Sequence, residues 1–222
     1  LTAYSANNLD QYTQTTNGAL LTPYTHDTRG NLISDGTWAY EYDHDNHLIR
    51  ASRPPSGFGP SQQPGVDARY RYDGLGRRIE KNVNGKITRF IYDGLHVIEE
   101  RDGADQVIAK YIYEPGIDRP VKMLLAHPRR GELACDDEED EESGDPGKER
   151  VYFFARDALG NVTALLDKNS HVKQQYEYDI YGAPTVKKRN GQVSKKDPIS
   201  PFLFTGREWD PETGLLYHYR AR

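Results

Sequence analysis

The sequence predicts an all-β fold of tandem antiparallel β-hairpins forming part of a curled or spiral β-sheet shell. Three observations predict it. Tyrosine is abundant, with 16 Tyr against 6 Phe and 2 Trp. A Tyr-x-Tyr-Asp unit recurs along the chain. Runs that alternate with period two follow the turns these units open.

Composition sets the frame. Apolar residues make up 36% of the 222-residue chain, below the usual share for a globular protein. Tyrosine buries a ring and keeps a polar tip. A Tyr-rich chain therefore suits sheets with one wet face and argues against a thick helical core. The best candidate for a short helix is Pro120 to His127.

The clearest copies of the unit are Tyr40-Glu41-Tyr42-Asp43, Tyr70-Arg71-Tyr72-Asp73 and Tyr176-Glu177-Tyr178-Asp179. Phe90-Ile91-Tyr92-Asp93 and Tyr111-Ile112-Tyr113-Glu114 are variants. Degenerate copies run from Tyr24 to Asp27 and from Tyr152 through Phe154 to Asp157. The acidic residue returns after 20 residues from Asp73 to Asp93, 21 from Asp93 to Glu114, and 22 from Asp157 to Asp179. The longer gap from Asp43 to Asp73 holds a Pro/Gly-rich stretch around Pro54 to Gly65.

Each unit has a local logic. Residues i and i+2 of a strand share a face, so Tyr40 and Tyr42, or Tyr70 and Tyr72, project together. The Asp that follows can accept backbone N–H bonds two residues on and start a turn. Gly76 can adopt positive φ at low cost, so Asp73-Gly74-Leu75-Gly76 reads as a type I turn closed by a Gly bulge. Asp27 to Gly30 and Asp157 to Gly160 match it. Alternating strands follow at Arg78 to Val83 and at Asn161 to Leu166. One hairpin is marginal alone. Stacked hairpins bury each Tyr face against a neighbour, and strand twist curls a long array.

The order along the chain is then repeats over 1–52, a Pro/Gly-rich insert over 53–69, and repeats over 70–133. An acidic, disordered loop over 134–149 comes next. Repeats over 150–184, a polar loop over 185–200 and a closing segment over 201–222 complete it. The net charge of −5 is uneven, because Asp136 to Glu142 is an unbroken acidic run. The rest of the chain is near neutral and carries no basic footprint for nucleic acid. The densest basic cluster (Lys187, Lys188, Arg189, Lys195 and Lys196) reads as a solvated loop. Cys135 has no partner for an internal disulfide. No stretch is long and apolar enough for a membrane helix. No Met opens the chain and residue 1 falls in mid-pattern, so it reads as a piece of something longer.

Asp43, Asp73, Asp93 and Asp179 read as turn caps, since no Asp-x-Asp-x-Asp-Gly calcium loop is present. His44 and His47 lack partners at metal-ligand spacing. No Gly-x-Ser-x-Gly elbow supports a serine nucleophile. Neither a metal nor a cofactor is expected. A sugar platform built on the tyrosines competes with cross-strand packing, which their regular spacing favours.

The Tyr-x-Tyr-Asp units resemble the YD repeats of Rhs proteins, which also occur in the C component of insecticidal toxin complexes and in teneurins. Pro201 to Arg222 resembles the opening of the Rhs-associated core, in Gly206, Arg207, Asp210, Thr213, Gly214, Leu215, Tyr217, Arg220 and Arg222. Tyr111 to Val121 and Arg156 to Val162 resemble segments that precede that core. The resemblance implies a β-shell that winds as a spiral and encloses a C-terminal toxin cargo, in a secreted or cell-surface bacterial protein. Its partners would be further repeats of the same chain and the cargo. A cell-surface or carbohydrate-binding adhesion module is the alternative. In some relatives the core is also a self-cleaving aspartyl protease. Asp210 falls at its first aspartate, and the second lies downstream of the position matching Arg222. Aspartyl chemistry needs two carboxylates sharing a proton, so the resemblance implies no enzyme activity from this segment alone.

Overall fold

A computed structural model of the chain describes residues 2–57, 62–126 and 149–217. The described residues form nineteen strands and one 3₁₀ turn, with no α-helix. They fall into two compact units, the first reaching Ile87 and the second starting at Thr88. No described helix is long and apolar enough to cross a membrane.

The first unit opens with a three-stranded antiparallel sheet of β1 (Thr2–Ala6), β2 (Tyr12–Asn17) and β3 (Leu20–Pro23). Six strands then pair antiparallel in chain order: β4 (Thr25–His26), β5 (Leu32–Ser34), β6 (Ala39–Tyr42), β7 (Leu48–Arg53), β8 (Val66–Tyr72) and β9 (Arg78–Val83). Its core is Tyr40, Ala51, Ala68 and Tyr70. Tyr40 faces Ala51, and Ala51 faces Ala68 on the next strand. Small residues there leave room for the large rings, as close packing requires.

The second unit begins within β10 (Lys86–Asp93) and continues in chain order through β11 (His96–Asp102), β12 (Val107–Tyr113), β13 (Pro120–Leu125), β14 (Arg150–Arg156), β15 (Val162–Leu166), β16 (Val172–Tyr178) and β17 (Pro184–Lys187). A separate hairpin, β18 (Glu208–Asp210) and β19 (Leu215–Tyr217), follows. Phe90, Tyr111, Met123, Tyr152, Leu165 and Tyr176 lie in its core. Alternation explains this. In β12, Ala109 and Tyr111 are buried while Lys110 and Ile112 between and beyond them are exposed.

The turns form as their chemistry dictates. Gly76 has φ 76°, its amide donates to Asp73 O at 3.0 Å, and the Asp73 amide donates to Arg77 O at 2.9 Å. The ladder slips one residue between Arg71 and Tyr72, the mark of a bulge. Asp27 to Gly30 and Asp157 to Gly160 close in the same way. Asp93 behaves differently: it ends β10 and pairs with His96 across Gly94 and Leu95.

One expectation is overturned. Pro120 to Leu125 is strand β13, not the start of a helix. Val121-Lys122-Met123-Leu124-Leu125 contains good helix formers, but propensity is a weak prior that tertiary context overrides. Here β12 and β14 pair with it on both sides. Between 185 and 200 lies part of β17 and a tight turn rather than irregular loop alone. Within the 53–69 insert, β7 runs to Arg53 and β8 begins at Val66. The acidic run and Cys135 lie outside the described residues, as do Arg220 and Arg222.

Candidate functional site

Strands β6, β8, β10, β12, β14 and β16 all end at one edge of their unit, here the Tyr edge; the opposite edge is the far edge. At the Tyr edge the turns of Asp27, Asp43, Asp73, Asp157 and Asp179 are locked by the aspartate's own side chain. The Oδ1 of Asp73 accepts from the amides of Leu75 and Arg77 at 2.9 Å, and its Oδ2 accepts from Arg77 Nε at 2.7 Å. Asp43 does the same with Asp45 and His47, and Asp157 with Leu159 and Asn161. Asn161 also donates its amide to Asp157 Oδ2 at 2.7 Å. That bond and the backbone donors outweigh burial and hold the Asp157 carboxyl below its ordinary value.

The two tyrosines of a repeat do different jobs. The first is buried: Tyr40, Tyr70 and Tyr176 are each 7% exposed or less. The second is half-buried and uses its hydroxyl. Tyr72 donates to Leu48 O at 2.8 Å and Tyr113 to Val97 O at 2.9 Å; Tyr178 donates to Val162 O. Each acceptor lies at the start of the preceding strand, Leu48 and Val162 as first residues and Val97 as the second, where the bulge interrupts the ladder. His47 stacks on Tyr72 with ring centroids 4.7 Å apart, and His96 on Tyr113 at 4.4 Å. Burial pushes the Tyr113 phenol up, and the nearby Glu208 carboxylate adds to the rise.

The closing segment crosses the aromatic face of the second unit. Gln174, buried on β16, starts it: its Oε1 accepts from Tyr176 Oη at 2.7 Å and from the Ile199 amide at 2.8 Å. Phe202 then packs edge-on against Tyr111, with centroids 4.8 Å apart at 86°. The Val162 amide donates to Leu203 O at 3.0 Å, and the Thr205 amide to Asn161 Oδ1 at 2.8 Å. Phe204 meets Tyr178 at 5.5 Å. It also fills the space beside Gly182, where a β-carbon would stand 2.7 Å from the Phe204 ring.

Next to this lies a cleft of ≈ 590 Å³ at the Tyr edge, lined by Glu114, Asp118, Arg119, Arg156, Asp157 and Arg207 among others. Its charges are matched. Arg207 Nη1 lies 2.7 Å from Asp118 Oδ2, with both side chains largely buried. Arg156 pairs with Glu114 and holds that carboxyl below its ordinary value. Gly206 has φ 71°, and a β-carbon there would be 2.2 Å from Asp118 O. Glycine is thus required twice, by backbone angle and by space.

The residues singled out in the closing sequence come together in part. Gly206 and Arg207 contact Asp118. Asp210 is buried at the end of β18, and its carbonyl accepts from the amides of Thr213 and Gly214 at 3.1 and 2.8 Å. Gly214 has φ 69°, Leu215 opens β19, and Tyr217 is buried. Tyr42 and Tyr92 pack half-buried beside the two cores. Asp179 caps its turn through the amides of Tyr181 and Ala183. Sequence reasoning assigned no role to Gln174, Asn161, Asp118 or Gly182. Only Asn161 left a signal, as the residue four after a turn Asp. Among the described residues, no group of three or more His, Cys, Asp or Glu is placed to hold a metal ion.

A family model described as the teneurin YD-shell matches residues 3–114. The chain belongs to the teneurin YD-shell family. The tRNA3(Ser)-specific nuclease WapA of Bacillus spizizenii is 30% identical to this YD-shell chain over 197 residues, 86% of the chain and 7% of the relative. Toxin protein Tse5 of Pseudomonas aeruginosa is 28% identical, over 88% of the chain and 15% of its own length. The crystal structure of TcdB2-TccC3 without its hypervariable C-terminal region shares the YD-shell fold, with a TM-score of 0.54 at 17% identity, covering 98% of this chain and 11% of that one. The YD-shell segment therefore spans a small fraction of the proteins it matches. The match makes the segment part of a YD-shell, and Tse5 is one of its relatives that is named as a toxin.

Proposed function

We propose that this segment is the wall and the beginning of the closing piece of a shell enclosing a C-terminal toxin polypeptide, in a larger bacterial protein that is secreted or displayed at the surface. The observation that carries this reading is the path of residues 197–217. They lie across the aromatic face of the second unit, held through Gln174, Asn161 and Asp118. A segment fixed in this way delivers the chain that follows it to a defined place on the shell. Tyr40, Tyr70, Tyr111, Tyr152 and Tyr176, each the first tyrosine of its repeat, are inside the packing, so they offer no face to a sugar.

Cleavage of the cargo from the shell would need a second carboxylate to share a proton with Asp210, supplied from downstream sequence. The segment itself acts as scaffold, and its nuclease-named relatives are matched over only 7% of their length.

The test uses the full-length polypeptide under limited proteolysis. The region after the shell should survive trypsin under native conditions and be digested once denaturant opens the shell. Equal digestion in both conditions overturns the proposal, as does a reading frame with no sequence downstream.

A further inference from the structure

We propose that Asn17 is a site of spontaneous covalent modification. The backbone amide of Gly18 closes on the Asn17 side chain, ammonia is lost, and the asparagine becomes aspartate or isoaspartate. The other two Asn-Gly pairs of the chain are protected by their hydrogen bonds.

The chemistry is set by residue type. The chain has three Asn-Gly pairs: Asn17-Gly18, Asn84-Gly85 and Asn190-Gly191. Glycine has no β-carbon to obstruct its own nitrogen. Water or hydroxide takes the proton from that nitrogen, which attacks Cγ of the preceding asparagine. A C–N bond forms, the bond from Cγ to the side-chain nitrogen breaks, and that nitrogen takes up a proton and leaves as ammonia. Water then opens the five-membered imide at either carbonyl. One opening gives aspartate. The other gives isoaspartate, in which the main chain runs through the former side chain. Nothing is oxidised or reduced, and water is the only other reactant.

Neither exposure nor space separates the three pairs. All six residues are exposed. The glycines have φ of 61°, 90° and 81° in chain order, and a β-carbon on any of them would meet nothing within 4 Å. Hydrogen bonding does separate them. Between β9 and β10, Asn84 Oδ1 accepts from the Asp67 amide at 2.8 Å and Asn84 Nδ2 donates to Gly65 O at 3.0 Å. The attacking group there, the Gly85 amide, donates to Asn82 Oδ1 at 2.9 Å. After β17, Asn190 Oδ1 accepts from the Gln192 amide at 3.0 Å and Asn190 Nδ2 donates to Gln192 Oε1 at 3.3 Å. The Gly191 amide donates to Lys188 O at 2.9 Å. In both places the carboxamide is pinned and the N–H of the attacking nitrogen is engaged. At Asn17 neither holds: among the described residues, the Asn17 carboxamide and the Gly18 amide make no hydrogen bond.

What opposes reaction at Asn17 is strand pairing alone. Asn17 ends β2 and forms the last pair of the β2–β3 hairpin with Leu20. The sheet around it is thin: β1 is exposed throughout, and only Thr22 of β3 is partly covered. End pairs of this kind open at little free-energy cost. Asn17 also pairs with Thr2 of β1. Isoaspartate at 17 lengthens the backbone between its two partner strands and adds a negative charge, so the change disturbs register on both sides.

The experiment incubates the full-length protein under native, mildly alkaline conditions. Peptides are mapped by mass spectrometry with fragmentation that distinguishes aspartate from isoaspartate. Asn17 is expected to convert at least about tenfold faster than Asn84 or Asn190, since each hydrogen bond retained by the other two lowers the reactive population roughly two- to tenfold. In urea the three rates should draw together. Equal native rates at Asn17 and either other site overturn the proposal, as does conversion of Asn17 in urea but not in the native protein. Rates as far apart in urea as in the native protein also overturn it, because flanking sequence rather than folding would then set them. Asn82→Ala frees the Gly85 amide and should raise the rate at Asn84 roughly two- to tenfold, with Asn17 unchanged. An unaltered rate at Asn84 overturns the proposed protection. If this variant unfolds, the wild-type rates in the two conditions decide.

Discussion

The backbone of Gly206 lies against the carbonyl oxygen of Asp118, so close that a β-carbon at Gly206 would stand 2.2 Å from it. Two segments 88 residues apart in sequence thus meet with no side chain between them. Gly206→Ala is expected to cost about 2–5 kcal/mol, from strain at positive φ together with overpacking. Denaturant unfolding of the second unit checks this. Gly74→Ala is the control: nothing lies within 4 Å of a β-carbon there, and its effect should stay within about 0.5 kcal/mol.

The same contact carries an ion pair, Arg207 to Asp118 at 2.7 Å with both side chains largely buried. Removing one member leaves the other charge poorly solvated. Asp118→Ala and Arg207→Ala should each destabilise by about 2 kcal/mol or more, and the double variant by clearly less than their sum. A double-mutant cycle in urea reads this directly. Additive losses would show that the pair contributes nothing.

Tyr72→Phe removes a hydroxyl that donates to Leu48 O. The expected loss is about 1 kcal/mol, from the bond and the unsatisfied carbonyl. Hydrogen exchange should quicken at the Tyr edge of β7 and β8 and leave their far edge unchanged. Tyr70→Phe is a poor substitute for this test, because Tyr70 is buried and lies under Arg78.

The turn aspartates set an acid limit. Asn161 holds the Asp157 carboxyl below its ordinary value of 3.8, and Asn31 does the same for Asp27. A group depressed in the folded state stabilises fully above its unfolded value, and that stability is lost as pH falls through the folded value. Wild type should therefore lose stability below about pH 3.8, toward each lowered folded value. Asp157→Asn should be less stable than wild type at neutral pH, with the gap narrowing as pH drops. Guanidinium unfolding at a series of pH values measures it; a gap independent of pH would rule out this role for Asp157.

How much of this was written in the sequence depends on range. The Asp-x-x-Gly turns were readable because every interaction in them is local: Asp73 bonds to residues two and four ahead, and Gly76 supplies the positive φ. Asp102 and Asp167 open the same turn with Asp105 and Ser170 at φ 63° and 64°. These two turns carry no glycine at the positive-φ position, so the residue that marks the others in the sequence is missing. Pro120 to Leu125 looked helical because its side chains favour helix in isolation, while two neighbouring strands decide otherwise. Asp118, Gln174 and Gly182 carry no local mark. Their importance arises only when residues 197–217 fold back on them.

The tyrosine hydroxyls have a consequence for what the architecture can absorb. Tyr72, Tyr113 and Tyr178 each fasten two neighbouring strands at the edge away from the loop that joins them. Register is then fixed at the fastened end, and the length of the joining loop matters little to it, since loop-closure cost grows only slowly with length. The far edge is accordingly the place for inserted sequence, as the stretch between Arg53 and Val66 already shows. An epitope, a protease site or a whole small domain grafted there should leave strand pairing intact. The same graft between Asp73 and Arg77 would break the wall.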